Sequence, residues 1–145
     1  MRAVINTNVI LDILLKREEF FCDSYSAVKF ATQEKNTAFI SAGCVSDVHY
    51  IVMQAGKDAG NARNLICTLL QLVKVCDTAA SDILTALHLD ISDFEDAILA
   101  ATAKREKADF IITRNERDFL DSPVPAVSPK EFLSIVNGDS GAKSW

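Results

Sequence analysis

Short apolar runs alternate with longer stretches of helical pattern along most of the chain, and this alternation leaves few folds open. "RAVIN" (2–6), "TAFISA" (37–42), "VKVCD" (73–77) and "ADFIITRN" (108–115) each have the length and apolar content of a buried strand. "VPAVSP" (124–129) fits an edge strand, because proline is tolerated where one side of the ladder is open. Between these runs lie "VILDILLKR", "FFCDSYSAVKFATQEKN", "CVSDVHYIVMQAG", "DAGNARNLICTLLQL", "AASDILTALHLD" and "DFEDAILAATAKREK", and "PKEFLSIVN" follows the last run. Strands separated by helices, often in pairs, predict an α/β layered domain with a mostly parallel sheet. Residues 1–136 read as one domain, and 137–145 as a flexible polar tail.

Local signals place the element ends. Asn8 is positioned to cap the first helix, with basic residues closing it. Phe21, Tyr25, Val28 and Thr32 form one stripe of the second helix, and Gly56 ends the third. Ser92 and Glu95 have capping-box spacing, which assigns Glu95 a structural role. Pro129 suits the first turn of the last helix.

The net charge of −5 argues against a dedicated nucleic-acid binder with a basic face. It leaves open an enzyme whose acids are gathered around divalent cations. No apolar run approaches the ~18 residues of a membrane span, and the start "MRAVIN" lacks the sections of a signal peptide, so the expected location is the cytoplasm. Cys22, Cys44, Cys67 and Cys76 are widely spaced in apolar company, which reads as reduced, buried thiols and not as a zinc site. His49 and His88 lie in apolar helical patterns and read as packing or surface positions.

In an open parallel sheet the binding crevice lies beyond the carboxyl ends of the strands. Attention therefore falls on Asn6, Asp77 and "TRNERD". Asp96 follows the capping positions of its helix and precedes the small face Ala97, Ala100 and Ala101, which lets the helix lie close to the sheet. Asp47 sits among Val45, Val48, Ile51 and Val52, where a carboxylate without a partner is costly. Asn115 and Asp118 are three apart in a turn, with Thr113 and Arg114 beside them; an Asx-type turn explains either one singly. Taken together, Asn6, Asp47, Asp96 and the pair Asn115/Asp118 come from stretches that a sheet can bring to one edge. Carboxylates sharing a pocket repel unless cations neutralise them. Oxygen donors without His or Cys favour Mg²⁺ or Mn²⁺, which can activate a water and stabilise charge on a phosphodiester.

The spaced set "INTNVILDILLKRE", "SAGCVSDVHYIV", "DFEDAILAATA" and "DFIITRNERDF" resembles the PIN-domain ribonucleases, which include the toxins of VapBC-type toxin–antitoxin modules. The resemblance implies a PIN-like three-layer α/β/α sandwich, a Mg²⁺- or Mn²⁺-dependent endoribonuclease, an RNA substrate, a homodimer and an antitoxin partner. Asn6 stands where the family's first strand motif carries an essential aspartate. Asp47 and Asp96 match the second and third acidic positions, and Asp118 or Asn115 the fourth. Asn6, Asp96 and Asp118 would then face the metal, with Asp93 as an additional acid. Thr7 and Thr113 match hydroxyls beside the site, and Arg114 is a phosphate-contact candidate or an exposed turn residue.

An asparagine retains a carbonyl oxygen but brings no negative charge, so the fold is kept while metal affinity and water activation fall. Natural drift fits this departure, and so does a deliberate exchange of Asp for Asn; the surviving Asp47 and Asp96 favour the latter. One rival reading is a catalytically inactive PIN-like module that binds RNA or protein. Another is a phosphoacceptor receiver, for which no strand end supplies the required aspartate–lysine pair.

Overall fold

The computed structural model describes residues 1–143, with side chains through Gly138. Five strands form a single all-parallel sheet in the order β3-β2-β1-β4-β5. They are β1 (Arg2–Ile5), β2 (Thr37–Ser41), β3 (Lys74–Cys76), β4 (Phe110–Ile112) and β5 (Ala126–Val127). The seven helices are α1 (Thr7–Leu14), α2 (Phe21–Ala31), α3 (Ala42–Gln54), α4 (Ala59–Leu69), α5 (Ala80–Ala86), α6 (Phe94–Arg105) and α7 (Pro129–Lys143). A 3₁₀ turn (Glu116–Phe119) follows β4.

Alternation along the strands sorts the helices into two layers. Ala3, Ile5, Ala38, Ile40, Ile112 and Val127 face one core, with α1, α2, α3, α4 and α7 over them. Val4, Phe39, Cys76 and Ile111 face a second core, covered by α5, α6 and Phe119 of the 3₁₀ turn. The expected α/β/α sandwich is thus present. Proline-flanked β5 lies at a sheet edge, where the Pro125 carbonyl still accepts from Ile111 N–H (2.8 Å).

Several local expectations change. Asn6, not Asn8, caps α1: its side-chain oxygen accepts from Thr7 N–H at 2.7 Å. No basic residue lies in the last turn of α1. The buried face of α2 is Ser24, Ala27, Val28 and Ala31; Phe21 and Tyr25 stack on each other near the surface, 5.6 Å apart. Asp93, not Ser92, caps α6 by accepting from Asp96 N–H (3.0 Å), so the capping box assigned to Ser92 and Glu95 is absent. Cys22 and Cys67 are exposed, Cys44 is half-buried and only Cys76 is buried; burial of Cys76 pushes its thiol pKa up to about 11. Helix α7 continues past Asn137 to Lys143, while Ser144 and Trp145 of the expected tail lie outside the described residues. Gly56 does end α3, at φ +91°, a conformation that glycine tolerates without strain.

A buried ion pair ties the second layer together. Asp82 of α5 accepts from Ala79 N–H (2.8 Å), Thr102 Oγ1 (3.0 Å), and Arg105 Nε (2.9 Å) and Nη2 (3.0 Å). Burial alone would raise the Asp82 pKa; the Arg105 contact, the Ala79 amide and the Thr102 hydroxyl outweigh it and hold it below the ordinary value.

Candidate functional site

Because β1, β2 and β3 all point the same way, their carboxyl ends open on one side of the sheet, and a cleft of about 530 Å³ lies there. Asn6 and Thr7 enter it from the β1–α1 junction. Asp47, Tyr50 and Ile51 come from α3, and Glu95, Asp96 and Leu99 from α6. Close approach of α6 follows from its composition, since Ala97, Ala100 and Ala103 pack into the second core and Ala101 is buried as well. That approach carries Asp96 to the strand ends.

Asp96 is the most perturbed acid of the cleft. Burial, and then repulsion from Asp93, Asp118 and Glu95, push its pKa up to about 6. A carboxylate with this cause of perturbation at a strand-end crevice is a functional-site candidate. The sign of the pH dependence follows from the raised value. Between the ordinary 3.8 and about 6 the folded chain holds a proton that the unfolded chain has released, so stability falls as pH rises through this window. Asp96→Asn is therefore expected to stabilise the fold by about 1–2 kcal/mol at pH 7, allowing for solvent screening of a half-buried group. That gain should vanish below about pH 4, a comparison that urea unfolding at pH 3.5 and pH 7 makes directly.

Asn6 is held on both sides. Its oxygen accepts from Thr7 N–H, and its Nδ2 donates to Thr113 Oγ1 at 3.0 Å. Thr113 is fully buried and also accepts from Asn8 Nδ2 (3.4 Å) and Asn115 N–H (3.1 Å). The Thr113 hydroxyl thus joins the ends of β1 and β4.

Of the residues singled out from the sequence, Asn6, Thr7, Asp47 and Asp96 share the cleft. Asp118 acts on it electrostatically, since it helps raise Asp96. Asp93 is spent on the α6 cap, and Asn115 and Thr113 stand behind the site. Asp47 is exposed rather than buried: Val48 and Val52 of α3 face the core, while Asp47 lies on the side open to the cleft.

Arg114 is neither an exposed turn residue nor a lining residue of this cleft. Its Nε donates to Asp12 (2.7 Å) and its guanidinium lies over the Phe20 ring, 3.9 Å from the centroid. Sequence reading missed Asp12, which is fully buried in α1, and assigned the structural role of Glu95 wrongly: Glu95 lines the cleft. An aspartate inside the apolar run "VILDILL" was the available signal, the same one used for Asp47.

The donors at Asn6, Asp47, Glu95 and Asp96 are oxygens, which suits a hard divalent cation, and positive charge would relieve the crowding that raises Asp96; Cys44 also lines the cleft, where its sulfur accepts from Ser41 Oγ (3.1 Å). Among the described residues, however, no three His, Cys, Asp or Glu side chains gather closely enough to hold an ion unaided. The first-strand position offers only an amide oxygen already engaged at Thr7 N–H. The carboxylates of Asp96, Asp47 and Glu95 are of the chemical kind that a hard divalent cation takes, whereas Asn6 brings no charge.

An α/β/α sandwich with an acidic cleft at the ends of parallel strands is the class this geometry defines. The sequence profile of the PIN domain matches residues 2–117, and the chain belongs to that family. Among solved structures, the fold is similar to VapBC2 from Rickettsia felis bound to a DNA fragment from their promoter (TM-score 0.71, 19% identity, covering 88% of this chain and 98% of that one). A toxin–antitoxin complex from Klebsiella pneumoniae is similar at TM-score 0.67 and 21% identity, covering 88% and 97%. VapC20 of Mycobacterium tuberculosis, a Sarcin-Ricin loop cleaving toxin, matches at TM-score 0.60 and 12% identity, covering 75% and 86%. No curated protein matches the chain by sequence. No helix among the described residues is long and apolar enough to cross a membrane.

Proposed function

We propose that this chain is a Mg²⁺- or Mn²⁺-dependent endoribonuclease, the toxin of a toxin–antitoxin pair, impaired by the amide at position 6. The observation that carries the reading is the shared cleft of Asn6, Asp47 and Asp96, with Asp118 near enough to raise Asp96. When bound, a divalent ion would supply an activated water and offset charge on the phosphodiester. Asp96 would hold that ion, with Asp118 and the Asn6 oxygen as the further candidates, and Asp47 extends the acidic lining. Thr7 and Thr113 fix the side chain at position 6, Asp93 fixes the start of α6, and Asn115 leads into the turn that bears Asp118. Residues 1–136 form the working domain, acting in the cytoplasm as a homodimer whose antitoxin partner blocks the cleft.

The test is RNA cleavage with Mn²⁺ and an EDTA control, on the chain, on Asn6→Asp, and on Asn6→Asp combined with Asp96→Asn. Metal-dependent cutting that appears with the first substitution and disappears with the second supports the proposal. A folded Asn6→Asp protein that cuts no RNA overturns it in favour of a non-cleaving binding module.

A further inference from the structure

We infer that Asp12 is a positioning residue: through Arg114 it fixes the segment 113–118 at the edge of the cleft, and so sets how tightly the cleft holds a divalent cation. The inference rests on the nuclease reading above. Its footing is a continuous set of contacts. Asp12 is fully buried, and its Oδ2 accepts from Ser24 Oγ (3.0 Å) and Arg114 Nε (2.7 Å), while Oδ1 accepts from Arg17 Nη1 (3.4 Å). Fold stability alone could be served by an apolar residue here, as at the neighbouring Leu11, which is also buried. A buried carboxylate instead demands a charged partner at a defined place.

Asp12 has two such partners, Arg17 (3.4 Å) and, closer, Arg114 (2.7 Å), the first residue after Thr113. The Arg114 guanidinium is fixed from below by Asp12 and from its face by Phe20. Its own N–H donates to Asn8 Oδ1 (3.2 Å), and Asn8 Nδ2 donates to Thr113 Oγ1. Asn115 N–H returns to the same hydroxyl, and Asp118 N–H donates to the Asn115 carbonyl at 2.9 Å. The backbone that leaves β4 is therefore pinned at Thr113, Arg114, Asn115 and Asp118 in turn. Asp12 is the carboxylate that holds the Arg114 side chain, and it is not among the residues that line the cleft. Loss of its charge frees the Arg114 side chain and lets the turn bearing Asp118 swing away from Asp96.

The experiment has two arms on the full chain. In the first, Asp12→Asn and Arg114→Gln are each compared with the unaltered chain by amide hydrogen exchange. Exchange at Arg114, Asn115 and Asp118 should rise at least about tenfold, while β1 and β2 amides keep their protection. In the second, the same changes are made in Asn6→Asp, and cleavage is followed across a Mn²⁺ titration. The Mn²⁺ midpoint should rise about tenfold, with the rate at saturating Mn²⁺ within about threefold of the parent. Unchanged exchange in the 113–118 segment overturns the inference, as does loosened exchange with an unmoved Mn²⁺ midpoint. A merely structural Asp12 would lower the unfolding temperature and leave that midpoint in place. Arg114→Gln retains Asp12 with its Ser24 and Arg17 contacts, and so decides the matter if Asp12→Asn does not fold. Failure of the nuclease reading shows separately, as absence of Mn²⁺-dependent cutting in Asn6→Asp with Asp12 intact, and the inference about cation binding falls with it.

Discussion

Asn6→Asp is expected to raise Mn²⁺-dependent RNA cleavage by about 10²–10³-fold, equivalent to about 3–4 kcal/mol of transition-state stabilisation. The local structure accommodates the change. Aspartate caps a helix as well as asparagine does, so the bond to Thr7 N–H is kept. The contact that must reverse is the one at Thr113. In this chain Asn6 Nδ2 donates to the Thr113 hydroxyl; a carboxylate has no donor, and the hydroxyl must rotate to donate to it. No heavy atom need move. Metal-free, the new charge adds to the repulsion already raising Asp96, so the variant should be less stable than the parent in EDTA. Mn²⁺ should more than reverse this, by about 2.7 kcal/mol at a hundred times its dissociation constant. Differential scanning calorimetry with and without Mn²⁺ reads this shift without any RNA. A melting temperature indifferent to Mn²⁺ would count against a metal site at Asp96.

The second large effect concerns the far layer. Asp82→Ala should destabilise the fold by about 3 kcal/mol, the lower end for breaking a buried ion pair, because Arg105 remains 33% exposed and can recruit water. The cost arises from what is left behind. Ala79 N–H loses its acceptor and the start of α5 loses its cap bond. Arg105 loses its bidentate partner while its Nη2 still donates to the Asp77 carbonyl, just past β3. Since domains of this size are stable by only about 5–15 kcal/mol, the loss is a large fraction of the total. Urea unfolding at pH 7 gives the difference. At low pH the gap should narrow: Asp82 has a lowered folded-state pKa, so its contribution is full above the ordinary carboxylate range and is lost as pH falls through the folded value.

How much of this was legible in the sequence differs between layers of description. The parallel α/β architecture followed from short apolar runs alternating with helices, because a strand buried on both faces leaves a contiguous apolar run. Asp96 followed from its place ahead of an alanine-rich helix face. Side-chain direction was less accessible. Asp12 and Asp47 look alike as isolated acids in apolar helices, yet one is buried under Arg114 and the other opens on the cleft. Their separation depends on which side of α1 and α3 meets the sheet, and this is fixed by strands distant in sequence. Asn6 and Asn8 likewise both suit a helix start. The two differ in place: Asn6 has extended backbone just before α1 and caps it, whereas Asn8 lies inside the helix, and the Thr113 hydroxyl, distant in sequence, accepts from both amides.

The central strand β1 pairs with β2 on one side and with β4 on the other, and Asn6 N–H donates to the Ile112 carbonyl. A ribosome makes the two halves of that arrangement far apart in time. While only β1, β2 and β3 have emerged, the edge of β1 that will receive β4 is bare, and the residue at position 6 has no Thr113 to orient it. Long-range pairing of this kind also closes slowly once the chain is complete. The lining of the cleft, Asn6 to Leu99, is made first, and the segment that orients position 6 is a late product of synthesis. A nascent chain still short of β4 carries the acids of α3 and α6 without the turn whose Asp118 acts on Asp96.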